Sequence, residues 1–114
     1  LDFVVVALLT VVVSSWLHEG GHVATFWRCA GRADSAYIRS AWGLALSVRV
    51  SDPVRFRRRV ALGGPLPVAG LGLVMATGAA IASSSVLAGA SAALLVHGLG
   101  TLPGSSDGNR IWNL

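Results

Sequence analysis

Two histidines and a glutamate form the segment of this chain with the clearest capacity for chemistry. His18 and His22 are four residues apart in the segment HEGGH, and Glu19 follows the first of them. On a helix, residues four apart lie on one face, about one turn from each other. Two neutral imidazoles at that spacing can bind one zinc ion, and the glutamate can reach a metal-bound water as general base. Since a metal lowers the pKa of such a water and polarises a carbonyl, the segment predicts metal-dependent hydrolysis.

A structural role is the alternative interpretation, in which two buried histidines hydrogen-bond to their neighbours. The fifteen residues before His18, from Phe3 to Leu17, carry no charge. An ionisable group near the centre of a bilayer costs on the order of 2.5–3.5 kcal/mol on insertion scales. Three such groups together favour a metal site over a hydrogen-bonded pair.

The composition indicates a membrane protein rather than a soluble one. Hydrophobic residues make up 54% of the 114 residues and charged residues 12%, whereas about 25% of an ordinary soluble domain is charged. The chain therefore lacks the polar surface that a soluble zinc hydrolase needs. Its net charge is +4, and its positive side chains are all arginine. Clustered arginine in a membrane protein indicates topology rather than nucleic-acid binding.

Three apolar segments predict three core membrane-spanning helices, over residues 3–27, 62–82 and 86–102. A spanning helix needs about 20 residues, and the serines at 83–85 separate the last two segments. Between the first two segments, apolar residues alternate with small or polar ones over 44–51, which predicts a strand. The predicted fold is mainly α, a multi-span membrane helix bundle with a small β-hairpin over residues 35–51.

The arginines set the expected orientation. Eight of the nine lie between the first two apolar segments, so the positive-inside rule places that loop in the cytoplasm and the N-terminus outside. The first and third spans are then parallel, and their C-terminal ends reach the cytoplasmic side. Arg110 follows the third span and agrees with this topology.

A catalytic zinc site needs a third protein ligand, with the fourth position left for water. Four aspartates are the candidates: Asp2, Asp34, Asp52 and Asp107. The first lies at the wrong end of the first span, and the next two lie in the loop. Asp107 follows the third span, on the side that the histidines reach, so we expect His18, His22 and Asp107 to bind one zinc ion. The alternative for Asp107 is a turn or a helix N-cap.

The position of His97 also predicts its role. His97 lies ten residues before Asp107, about 15 Å along a regular helix, so we predict a packed or cavity-facing side chain rather than a ligand.

Gly20 and Gly21 each cost a helix about 1 kcal/mol relative to Ala. A close approach of substrate, or simple packing of another helix, would account for them.

The sequence resembles the site-2 protease family of intramembrane zinc metalloproteases, in three segments that follow in the family's order. HEGGH at 18–22 is similar to the HExxH motif of the first core span. RRRVALGGPLP at 57–67 resembles the segment that opens the second core span, and LPGSSDGNRIW at 102–112 resembles the family's Leu-Asp-Gly segment. The hairpin between the first two spans also matches the family's plan.

The resemblance implies a zinc endopeptidase whose substrate is a membrane-anchored protein, cut within or beside its own span. It assigns the same site residues: His18, His22 and Asp107 as zinc ligands, and Glu19 as the catalytic base. The chain departs from the family at the usual Asn positions, where it has Pro67-Val68 and Gly100. A metal-binding relative without proteolysis and a purely structural multi-span module are therefore the alternatives.

The ends of the sequence and its amino-acid usage suggest a context. The chain begins with Leu1 and has its first methionine at Met75, so we expect residues 1–114 to be one intramembrane protease core domain excerpted from a longer chain. Lysine-free usage rich in Arg, Ala, Gly and Val indicates a GC-rich bacterial genome. The expected location is a bacterial cytoplasmic membrane, with several spans and the active site near the cytoplasmic side.

Overall fold

A computed structural model describes residues 2–50 and 54–112 of the chain, which are mainly helical. Five helices and two strands follow each other in this order: α1 (Asp2–Ala30), β1 (Ala36–Ala41), β2 (Leu44–Arg49), α2 (Arg57–Gly63), α3 (Pro65–Ala82), α4 (Ser85–Gly98) and α5 (Ser106–Trp112). Single 3-10 turns precede β1 and α2, and another follows α4. The HEGGH segment lies in the C-terminal half of α1, which contains no proline and continues without interruption over 29 residues.

The predicted second helix begins earlier than residue 62 and is divided in two. α2 ends at Gly63 and α3 begins at Pro65, because a proline within a helix lacks an N–H and clashes with the preceding turn. The combined run Arg57–Ala82 is long and apolar enough to cross a membrane, as is Phe3–Ala30. These are the two helices of that kind in the part of the chain that the structure describes.

The predicted third spanning helix is shorter than expected. α4 covers 14 residues and gives way to a 3-10 turn at Leu99–Thr101, so its axis extends about 21 Å, less than the roughly 30 Å of a bilayer core. The predicted division at the serines is confirmed. Ser83 leaves α3 with a φ of 51°, and the hydroxyl of Ser84 caps α4 by accepting the N–H of Leu87 at 3.3 Å.

The predicted hairpin is confirmed. β1 and β2 are antiparallel, with Ala36 opposite Arg49 and Ala41 opposite Leu44. Trp42 and Gly43 form the two-residue turn, with φ values of 55° and 79°. Positive φ at both central positions is the geometry that matches the twist of two adjacent strands, and it favours glycine at the second position.

The packing brings both the hairpin and α5 into contact with the HEGGH segment. α3 packs along α4, α4 along α1, and the hairpin lies against α1, while α2 contacts both α1 and α5. A small core under the base of the hairpin joins α1, β1 and α2 through buried side chains. Its members are Val23, Phe26, Ala36 and Val60. This core fixes the C-terminal half of α1 against the two segments that flank it.

Candidate metal site

Three side chains predicted from the sequence converge on one point. Nε2 of His18 and Nε2 of His22 are both 3.0 Å from Oδ2 of Asp107, and they are 3.1 Å from each other. Both histidines are buried, and Asp107 is half-buried. The three residues form a group whose donor atoms could hold one metal ion. Ligands bound to a tetrahedral zinc at about 2.0–2.2 Å lie roughly 3.3–3.5 Å apart, so the donor set fits such an ion after a small expansion.

The main chain of α2 orients His22. Nδ1 of His22 lies 2.5 Å from the carbonyl oxygen of Val60, and a carbonyl only accepts, so Nδ1 carries the proton. In the neutral ring Nε2 therefore presents a lone pair towards Oδ2 of Asp107, which is itself an acceptor. A shared proton or a bound metal ion satisfies two acceptors that lie 3.0 Å apart. A backbone acceptor on the distal nitrogen is also the usual partner of a metal-binding histidine.

A third histidine contacts the site. The ring of His97 stacks on that of His18, with centroids 4.8 Å apart and planes at 13°. The hydroxyl of Ser14 is hydrogen-bonded to Nδ1 of His97 at 2.6 Å and lies 3.0 Å from the carbonyl oxygen of Val11. The prediction of a packed side chain agrees with this stack. His97 lies closer to the site than the distance of about 15 Å that a regular helix predicts. The reason is that α4 ends at Gly98 and the chain then turns back.

Asp107 reaches the histidines from the first turn of α5. Ser105 is the cap of this helix, because its hydroxyl accepts the N–H of Gly108 at 2.9 Å, so the capping role considered for Asp107 is filled by its neighbour. Burial alone would raise the pKa of Asp107, but its contacts with His18 and His22 outweigh burial and hold that pKa below its usual range. The carboxylate is therefore ionised at neutral pH, the form that binds metals.

Two side chains hold the C-terminal end of α5 in place by hydrogen bonds. Nε of Arg58 donates to the carbonyl of Ile111 at 2.7 Å, and the indole of Trp112 donates to the carbonyl of Thr101 at 2.9 Å. A cation at the last carbonyls of a helix also interacts favourably with the helix dipole. Arg58, one of the eight arginines that set the expected orientation, thus connects the helix that carries Asp107 to α2.

The hairpin covers Glu19 with its second strand. The backbone N–H of Ser47 donates to Oε2 of Glu19 at 3.0 Å, and Oε1 has no hydrogen-bond partner among the described residues. One turn earlier, the hydroxyl of Ser15 accepts the N–H of Ala45 at 3.2 Å. The outer edge of β2 therefore lies directly on the face of α1 that carries the glutamate.

Two indoles of α1 fasten the hairpin at its ends. Nε1 of Trp27 donates to the carbonyl of Ala36 at 3.0 Å, and Nε1 of Trp16 donates to the carbonyl of Gly43 at 2.9 Å. The first bond lies at the base and the second at the turn. Together they hold β2 parallel to the helix, with Glu19 between them in sequence.

Glycines allow α1 and the α2–α3 junction to approach closely. A Cβ at Gly21 would overlap the carbonyl of Gly63, while one at Gly20 would make an ordinary contact of 3.7 Å with Ile38. Gly21 therefore serves helix packing. A Cβ at Gly64 would lie 2.6 Å from Cε1 of His22, so this glycine forms one wall of the metal site.

Gly64→Ala is expected to displace His22 and weaken metal binding. Ordinary carbon contacts are about 3.5–4.0 Å, so the imidazole must retreat by about 1 Å from the 2.6 Å overlap. We expect metal affinity, measured by competition with a chelator, to fall about tenfold or more. Gly70→Ala is the control, because its Cβ meets no described atom within 4 Å. Equal affinity in the two variants would show that Gly64 does not shape the site.

His97→Ala is expected to release the ring of His18, whose Nδ1 is buried without a hydrogen-bond partner among the described residues. Supporting residues of metal sites typically contribute 10–100-fold to affinity, and we expect a loss at the lower end of that range. His97→Phe keeps a flat ring over His18 and should recover most of the affinity. The same chelator competition measures both variants, and an unchanged affinity in His97→Ala would contradict a supporting role.

The other aspartates considered as ligands do not join the group. Asp34 lies 3.6 Å from Arg32, and both side chains are exposed. Asp52 lies outside the described residues, as does the side chain of Asp2.

Several contacts of the site are not indicated by the sequence pattern. They are made by Ser14, Ser47, Val60 and Gly64. The one local signal was the Gly-Gly-Pro sequence at 63–65, since paired glycines before a helix-initiating proline mark a place where another backbone or side chain approaches. The rest depend on which segments pack together.

Comparison of the chain with protein-family models, with curated proteins and with solved structures finds no match.

Proposed function

We propose that the protein is an intramembrane zinc metalloendopeptidase, similar to the site-2 proteases, that cleaves membrane-anchored proteins within or next to their spanning segments. The observation that carries the proposal is the convergence of His18, His22 and Asp107, whose donor atoms lie 3.0–3.1 Å apart. Two histidines and one carboxylate, with one position left for water, are the ligand set of catalytic zinc in many peptidases.

The surroundings of the site support a location within the bilayer. The HEGGH segment is part of the apolar run Phe3–Ala30, which is long enough to span. Large apolar side chains near its N-terminal end are exposed, among them Leu8, Leu9 and Val13, each more than 60%. Exposure of this kind is costly in water and favourable in lipid. The arginine-rich loop would then place the site near the cytoplasmic side of a several-span protein.

Each polar residue has a definite task in this proposal. Zinc would supply an acidic water and polarise the substrate carbonyl. Glu19 takes up the proton of the attacking water and passes it to the leaving nitrogen, and Ser47 holds one carboxylate oxygen while the other stays available. The carbonyl of Val60 keeps the proton of His22 on Nδ1, which directs Nε2 to the ligand position.

The hairpin offers the substrate an edge for pairing. A peptide bond inside a helix is shielded by its own hydrogen bonds, so the substrate must be extended where it is cut. An extended segment alongside β2 would accept the N–H of Ala45, which Ser15 now occupies, and would lie next to Glu19. Addition of a strand to a sheet edge is a common mode of peptide recognition, and here the N–H of Ala45 must first separate from Ser15 of α1.

A metal-binding protein without proteolytic activity is the second candidate. Pro67-Val68 and Gly100 stand where the family usually has Asn, and both departures leave the metal ligands intact. The two candidates share the metal site and differ only in whether a peptide bond is cleaved.

Metal analysis of detergent-purified protein tests the proposal, because it needs no known substrate. We expect elemental mass spectrometry to find about one zinc ion per chain, lost after treatment with a strong chelator and restored by added zinc. Cleavage of single-span test proteins that follows the zinc content would then separate the peptidase from the second candidate. A chain that holds no metal after purification in zinc-replete medium would contradict both.

A further inference from the structure

A groove on the far side of α1 from the hairpin is not used by the proposed reaction. It runs between α1 and the α2–α3 segment and has a volume of about 420 Å³. Its walls include, at helical spacing on α1, Gly21, Ala24 and Arg28, and on the opposite side Arg59, Leu62 and Leu66. The walls are small and apolar except at one end.

Both arginines of the groove lie at that same end. Arg28 is in the last turn of α1, and Arg59 is in the first turn of α2. Both are exposed, and neither makes a hydrogen bond or ion pair with another described residue. The groove therefore has two guanidinium groups at one end, which we call its mouth. From there an apolar channel leads along the helices.

We propose that this groove binds one anionic phospholipid, with its phosphate between Arg28 and Arg59 and an acyl chain along Ala24, Leu62 and Leu66. The charge of the mouth, the apolarity of the channel and their order along the helix axes match those of a phospholipid in the cytoplasmic leaflet. Arginine pairs the oxygens of a phosphate through a fork of N–H donors, and basic pockets between spanning helices on that side bind anionic head groups. The inference rests on the proposed membrane placement, and not on proteolysis.

The groove and the metal site both border the contact between α1 and the α2–α3 junction. Gly21 and Gly63 meet there without room for a Cβ between them, and each is adjacent in sequence to a residue of the site, His22 and Gly64. A lipid in the groove contacts both helices and braces this junction. Its occupancy is expected to raise the thermal stability of the protein in detergent.

Native mass spectrometry of the full chain in mild detergent tests the site, with equal amounts of phosphatidylglycerol and phosphatidylcholine. We expect one retained phosphatidylglycerol, preferred about tenfold over phosphatidylcholine. Arg28→Gln with Arg59→Gln should abolish the preference. The control, Arg39→Gln with Arg55→Gln, removes the same charge from exposed positions outside the groove and should leave it unchanged. Equal losses in the two double variants would overturn the site in favour of general attraction between the loop and anionic lipid.

Two further measurements distinguish a lipid held along the channel from a simple anion held at the mouth. Ala24→Trp fills the channel and keeps both arginines, so it should lower retention of the lipid; unchanged retention would overturn the role of the channel. Glycerol phosphate and inorganic phosphate should not displace the lipid, and displacement by either would show a simple anion site.

Flotation with neutral phosphatidylcholine vesicles checks the membrane placement itself. A chain that floats yet shows no lipid preference overturns this inference alone, whereas one that does not float overturns the placement and the inference with it.

Discussion

Asp107→Ala is expected to leave the protein folded and to reduce its metal content from about one ion per chain to near zero. The carboxylate supplies one of the three converging donor atoms, 3.0 Å from each histidine nitrogen. Without it, two neutral imidazoles remain, and the affinity should fall by more than the 10–100-fold that follows loss of a supporting residue. Elemental mass spectrometry and chelator competition on the purified variant measure the two quantities.

Asp34→Ala is the matched control for this experiment. It removes the same carboxylate from an exposed position beside Arg32, and it should retain the metal content of the parent. The thermal unfolding of Asp107→Ala in metal-free detergent buffer should stay close to that of the metal-free parent. Full retention of metal in Asp107→Ala would mean that a different residue completes the site.

Glu19→Gln is expected to abolish cleavage while leaving the metal in place. The amide keeps an oxygen that can accept the N–H of Ser47, as Oε2 does at 3.0 Å, so the hairpin should remain docked. It cannot accept a proton from water, however, and general acid–base groups contribute about 10²–10⁴-fold to a rate. Under the proposed mechanism, we expect a loss of at least that size in the cleavage of single-span test proteins reconstituted with the protein.

The metal content of Glu19→Gln provides the internal control, because it should equal that of the parent. Undiminished cleavage by a variant that holds one metal ion would remove Glu19 from the mechanism. Parent protein that binds zinc but cleaves none of the test proteins would favour the non-proteolytic candidate instead.

The parts of the fold that depend on local pattern could be predicted from the sequence. Alternating residues indicated the hairpin, and the triple serine indicated the break between α3 and α4. The length of α4 could not be predicted in the same way, because Leu99 to Leu102 are as apolar as the helix before them. The chain leaves the helix through a 3-10 turn at Leu99–Thr101, and α5 then brings Asp107 to the histidines of α1.

The residues of the site whose side chains have a recognisable chemistry could be predicted from the sequence. The contacts that depend on how the helices pack could not. His18 and His22 are one helical turn apart in any helix, and Asp107 followed from which ends of the segments share a side. The carbonyl of Val60 and the ring of His97 are 38 and 83 residues from their partners, at His22 and Ser14. A carbonyl group carries no sequence signature, and the stack of His97 on His18 depends on how α4 is rotated about its axis.

The two ends of the hairpin differ in what holds them. Its base is part of the buried core with Phe26 and Val60. Its tip, Ser40 to Leu44, is exposed, and the side chain of Trp42 is fully exposed. The tip is retained by the indole of Trp16 and the hydroxyl of Ser15, each contributing about 1 kcal/mol. Local opening of the tip thus has a free energy of its own, far below that of unfolding the domain. Opening of the tip frees the N–H of Ala45, so a change in temperature or lipid that leaves the fold intact can still alter how often this edge of β2 is exposed.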